Sequence, residues 1–288
     1  MIQVSTGSLI ALVCILLVCF VLPLPLYYLL YRAECKGKNF LIGAAAYIGC
    51  GVLADTVLGA TVDMIANTSA NAASYLLYAA ILSPVLFIAL NYLIIKRFGT
   101  KTMTTTGDSL MYSLGYASAY NILATGFVSA MYFFTLMEIK GRNGVFTVVS
   151  DADYVSASQV VTSGDLVNES VYADMVRLCS QPVSYYIGFI INCLWALAAY
   201  AAVFMVLRLA VQKKEKKHIL AYALMIRLFI TLPDIMKHFD IIRNVWLAQL
   251  FSFVILGIVW VAAIFCRKTF VDSEDAVTDS NGNKKGEA

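Results

Sequence analysis

LIALVCILLVCFVLPLPLYYLLY, residues Leu9–Tyr31, is a run of 23 residues without a charge, and it ends in Arg32-Ala-Glu-Cys-Lys36-Gly-Lys38. A helix rises about 1.5 Å per residue, so the run matches the roughly 30 Å of hydrocarbon in a bilayer. It is too long for the apolar region of a signal peptide, no basic residues precede it, and its positive flank lies on the far side. The reading is an uncleaved membrane span, bent near Pro23 and Pro25.

Six further apolar blocks follow at Phe40–Ala60, Tyr75–Ile95, Leu110–Met137, Tyr185–Val211, Ile219–Met236 and Val245–Phe265. Each is close to the length of a membrane helix, which predicts an all-α bundle of seven spans over residues 1–268. The fourth block is rich in Gly, Ala and Ser, which let helix backbones approach closely in lipid, so it is expected at the centre of the bundle. Composition agrees. Of 288 residues 60% are hydrophobic and 14% charged, with a mean hydropathy of +0.77. A soluble domain carries about 25% charged residues. The net charge of +3 includes no basic tract dense enough for nucleic acid.

Charge placement sets the orientation. With the N-terminus outside, the inner segments hold Arg32, Lys36, Lys38, Lys96, Arg97, Lys101, Lys213, Lys214, Lys216, Lys217, Arg267, Lys268, Lys284 and Lys285. The outer segments hold only Lys140, Arg142, Arg177, Lys237 and Arg243. Basic residues favour the cytoplasmic side, so the expected topology is N-terminus out and C-terminus in, with an external loop over residues 138–183. Within that loop either Ser163 caps a helix over Asp165–Leu178, with Val167, Val171, Met175 and Leu178 at helical spacing, or the stretch is a partly ordered loop. Residues 269–288 are polar and read as a cytoplasmic disordered tail.

Ionisable groups inside spans are costly, which makes them candidate site residues. Asp55 and Asp63 share a face of the second span; Arg227 and Asp234 share a face of the sixth. With Asn91 and Asn121 they define a candidate polar pocket, or else a structural ion pair plus interhelical hydrogen bonds. Tyr112, Tyr116 and Tyr120 recur every four residues on the fourth span, as a cavity lining or as packing. The two histidines, His218 and His238, border the membrane on opposite sides, so a zinc site of the HExxH kind is not expected. No serine nucleophile motif, phosphate-binding loop, CxxC pair or disulfide framework is readable, and no cofactor or metal is expected.

The order of these elements resembles the YhfC family of intramembrane proteases, relatives of the CAAX-processing glutamic membrane peptidases. The resemblance is carried by Pro25-Leu-Tyr-Tyr-Leu-Leu-Tyr-Arg32, Phe40-Leu-Ile-Gly43-Ala, Phe87-Ile-Ala-Leu-Asn-Tyr92, Tyr112-Ser-Leu-Gly115-Tyr-Ala-Ser-Ala-Tyr120, Leu232-Pro-Asp234 and Asn244-Val-Trp246. It implies a peptidase, but the family's two glutamates and arginine match Ile88, Ala89 and Tyr92 here. Its histidine and following glutamate match Tyr116 and Tyr120, and its later histidine matches the region of Arg227. A glutamic protease needs a carboxylate to activate water and a histidine or metal to polarise the carbonyl. The resemblance therefore implies a non-catalytic relative in a bacterial plasma membrane, embedded in lipid and binding a membrane peptide, lipid or protein partner. Two alternatives stand beside it. One is a small-molecule transport component using the polar pocket; the other is a divergent active protease using Asp55 and Asp63.

Overall fold

Apolar blocks become long helices because a backbone in hydrocarbon must satisfy its own hydrogen bonds. A computed structural model describes residues 4–52, 72–141, 147–149, 166–213, 218–242 and 244–282. Helix α1 covers Thr6–Arg32. α2 covers Lys38–Ala46 and continues as a π-helical turn over Tyr47–Gly51. α3 is Ser74–Gly99 and α4 is Thr106–Gly141. Strands β1 (Thr147–Val149) and β2 (Leu166–Asn168) follow, pairing in parallel. Then come α5 (Glu169–Ser180), α6 (Val183–Gln212), α7 (His218–His238) and α8 (Val245–Gly282). Six of these, α1, α3, α4, α6, α7 and Trp246–Thr269 within α8, are long and apolar enough to cross a membrane. The expected second span is helical as far as it is described; its remainder, with Asp55 and Asp63, lies outside the described residues.

Two sequence expectations change, at the loop helix and at the tail. The loop helix starts at Glu169 rather than Asp165, because Leu166-Val167-Asn168 pairs with the β-branched Thr147-Val-Val149 instead. Ser163 lies outside the described residues, and of the expected apolar stripe Met175 and Leu178 pack inward while Val171 is exposed. The last helix runs on past Arg267 and Lys268 to Gly282, over the expected tail; no proline or glycine lies between Lys268 and that point. At Pro23 the chain stays helical. A proline has no N–H to donate, and the helix widens one turn earlier, at Leu17–Val21, where Leu22 N donates to Leu17 O at 3.0 Å. The same arrangement, a π-helical turn at Tyr78–Leu82, precedes Pro84.

The chain divides into two compact units, Met1–Leu22 with Asn121–Cys193, and Pro23–Tyr120 with Leu194–Ala288. The core of the first unit gathers Leu9, Leu12, Ile15, Cys19, Leu136, Ile139, Tyr186 and Cys193. The core of the second is aromatic and small, built on Tyr47, Phe87, Tyr112, Tyr116, Ala117, Tyr200, Phe204 and the buried face of α7. There α2 and α4 meet backbone to backbone: a side chain at Gly43 would strike the Tyr112 carbonyl, and one at Gly115 the Phe40 carbonyl. Asn39 meets Asp108, Gly43 meets Tyr112 and Tyr47 meets Tyr116, so the two helices ascend in parallel.

Candidate functional site

The second unit holds most of the residues singled out from sequence. Tyr112, Tyr116 and Tyr120 lie along one side of α4, and rings from three other helices close on them. Tyr116 stands 5.0 Å from both Tyr200 and Phe204 and 5.2 Å from Tyr47, measured between ring centroids. Tyr112 meets Phe204 at 4.8 Å, and Phe87 meets Tyr116 at 5.6 Å. Centroid spacings of about 4.5–7 Å are those of favourable edge-to-face and offset pairs. Asn91 knits this layer: its Nδ2 donates to Phe87 O at 2.9 Å, and its Oδ1 accepts from Tyr112 Oη at 3.0 Å.

Four of the five positions that the family resemblance singles out are thus occupied by packing. Ile88 and Tyr116 are core residues, Tyr92 and Tyr120 pack against the core, and Ala89 is exposed. An alkyl chain, a methyl and three phenols supply neither a carboxylate base nor an imidazole.

Arg227 enters this layer from α7. Its guanidinium carbon lies 4.5 Å from the Phe87 ring centroid and 5.8 Å from that of Tyr200, while the residue is only 9% exposed. Its Nε is sealed from solvent without a hydrogen-bond partner. An arginine at the centre of a span costs roughly 2.5–3.5 kcal/mol on insertion scales. A cation–π contact returns about 0.5–2 kcal/mol, and the Tyr200 contact is at the limit of range. The rings offset part of the cost.

Asp234, the other charged candidate among the described residues, does not join Arg227. Asp234 is 71% exposed and pairs with Lys237 at 3.7 Å, one turn further along α7, so sharing a face with Arg227 does not bring the two together. An exposed pair at a helix end keeps most of its hydration, whereas an inward Asp234 would have to lose it. Asn121 belongs to the other unit, where its Nδ2 donates to Cys193 O at 3.1 Å. Asp55 and Asp63 lie outside the described residues. Among the described residues no three His, Cys, Asp or Glu side chains converge as metal ligands.

No protein-family model, curated protein or solved structure matches this chain.

Several residues not singled out from sequence turn out to be buried and polar. Asp108, at the start of α4, accepts from Lys36 N at 2.9 Å, Asn39 Nδ2 at 3.2 Å, and the backbone N–H and hydroxyl groups of Thr104 and Thr105 at 2.9–3.1 Å. Asp108 N donates back to Thr105 Oγ1 at 3.1 Å, which completes a capping box. Thr105-Thr-Gly-Asp108 carries the [ST]-x-x-[DE] pattern of that box, so the signal was present. Beside it, burial and then the Asp108 charge push the Cys35 thiol above its ordinary range. Arg208 on α6 is 7% exposed, with Nε and Nη1 sealed and unpartnered. Cys19 and Cys193 bring their sulfurs to 3.6 Å in the first unit, a contact between residues far apart in sequence that spacing does not reveal.

Proposed function

We propose that this protein is a seven-span membrane protein, N-terminus out and C-terminus in, that binds a membrane peptide, lipid or protein partner without catalysing a reaction. It would be a divergent relative of the YhfC-type intramembrane proteases, placed in a bacterial plasma membrane. The observation that carries the reading is the filling of the resemblance's catalytic positions. Ile88, Tyr92, Tyr116 and Tyr120 lie in or against a packed aromatic layer, where a peptidase would need water, a carboxylate and an imidazole at one depth. Six long apolar helices support the membrane setting. The parallel course of α2 and α4, with α3 between them in the chain, favours a seventh crossing at Phe40–Ala60, since alternate spans run the same way.

The test is a cleavage assay on the purified protein in lipid nanodiscs, using fluorogenic transmembrane peptides, with Asp55→Asn/Asp63→Asn as the matched variant. The expected outcome is no hydrolysis by either protein. Hydrolysis by the wild type that disappears in the double variant would establish a peptidase built on displaced carboxylates and overturn the non-catalytic reading.

A further inference from the structure

Arg227 is charged, 9% exposed, and near the middle of α7 (His218–His238). At about 1.5 Å per residue it stands about 14 Å from the start of that helix and about 17 Å from its end, too deep for its head to reach either interface easily. One would expect a buried counter-ion or a set of carbonyl acceptors there. Among the described residues no hydrogen bond or ion pair to the guanidinium is found, and Asp234, seven residues on, is turned outward to Lys237. What holds Arg227 is the π faces of Phe87 and Tyr200.

This arrangement fixes the cation and leaves its hydrogen-bonding end open. Of the three nitrogens only Nε is both sealed and unpartnered; Nη1 and Nη2, the pair that forms the bidentate fork, do not share that state. Aromatic rings hold a guanidinium through their faces and take none of its N–H directions, so the fork stays competent for two parallel hydrogen bonds. Arg208, the other buried arginine, differs in this respect, since its Nη1 is sealed as well as its Nε.

We propose that Arg227 is the seat of an oxyanion group, a carboxylate or a phosphate, on the ligand this protein binds. The planar fork matches two oxygens of either group, and a partly desolvated site strengthens that contact. The proposal rests on the reading of a non-catalytic binding protein and adds the charge class of the ligand. The oxyanion has two sources, an acidic amphiphile from the bilayer or a small soluble anion.

The experiment measures the thermal unfolding midpoint of the purified full chain in a neutral detergent. The additions are oleate, dioleoyl phosphatidic acid, oleyl alcohol, acetate or inorganic phosphate, each in excess. Oleate or phosphatidic acid is expected to raise Tm by about 3 °C, the size that a ligand well above its dissociation constant gives a protein of this length. Oleyl alcohol, which lacks the oxyanion, is expected to leave it unchanged. An equal rise with acetate or phosphate supports the same seat and assigns it to a soluble ligand. Arg227→Gln should abolish the rise. Arg227→Lys keeps the charge and the fold but loses the fork, and should keep less than half of it. A rise with oleyl alcohol equal to that with oleate, an undiminished rise in either variant, or no rise with any oxyanion overturns the proposal. Peptide hydrolysis in the cleavage assay would sink the non-catalytic reading independently of these shifts.

Discussion

Removing the Asp108 carboxylate would take an acceptor from six donors at the entrance to α4, at a residue 1% exposed; of these Asn39 Nδ2 keeps the Thr102 carbonyl. Loss of a helix cap costs about 0.5–2 kcal/mol and a stranded buried donor about 1–3 kcal/mol. Asp108→Ala is therefore expected to lower Tm by several degrees, and Asp108→Asn by less, because the amide keeps one acceptor oxygen. Equal midpoints for wild type and Asp108→Ala would show that the cluster contributes nothing. Of these polar contacts, sequence reveals those made within one turn of helix. The Thr105–Asp108 box is such a case, and so is Asp234 with Lys237 three residues on, which wins over Arg227 seven residues back because its pairing needs no burial. The setting of Arg227 was not readable in the same way. Its ring partners, Phe87 and Tyr200, come from two other helices, and no local spacing records which helices touch.

At the scale of whole helices the dominant physical term is length in hydrocarbon, and that is why blocks of about twenty apolar residues could be read directly as α1, α3, α4, α6, α7 and the membrane part of α8. Less legible was how a helix would meet prolines in its path, and the answer here is a widened turn just before Pro23 and Pro84. Contact between helices depends on single glycines. A methyl at Gly43 would overlap the Tyr112 carbonyl, and one at Gly115 the Phe40 carbonyl, both of them backbone atoms that cannot swing aside. Overpacking of this kind costs about 1–3 kcal/mol. Gly43→Ala and Gly115→Ala are each expected to lower Tm, with Gly115→Val worse than Gly115→Ala. Gly257→Ala is the control: nothing lies within 4 Å of the added methyl, and alanine is the better helix former, so Tm should hold or rise. A Gly257→Ala loss as large as that at Gly43 would remove the close approach of α2 and α4 as the cause.

For the molecule as a whole the open quantity is the parity of its crossings. Six crossings would put both chain ends on one side, and seven would put them on opposite sides. Two arguments favour seven. Fourteen of nineteen basic residues outside the spans fall on one side only when Phe40–Ala60 is counted as a crossing. In addition, α2 ascends in register with α4 from Asn39 and Asp108 to Tyr47 and Tyr116, which a segment lying flat on the membrane would not do. The prediction is that Ser5→Cys reacts with a membrane-impermeant maleimide in intact cells, while Ser280→Cys reacts only after permeabilisation. Native thiols should interfere little near neutral pH. Cys35 and Cys179, which lie outside the spans, are both pushed above the ordinary thiol range by burial, so each carries less of the reactive thiolate than the introduced residues. Labelling of both introduced residues from the same side would mean an even number of crossings. It would reduce Phe40–Ala60 to a segment that enters without crossing, and the inside tail would be lost with it.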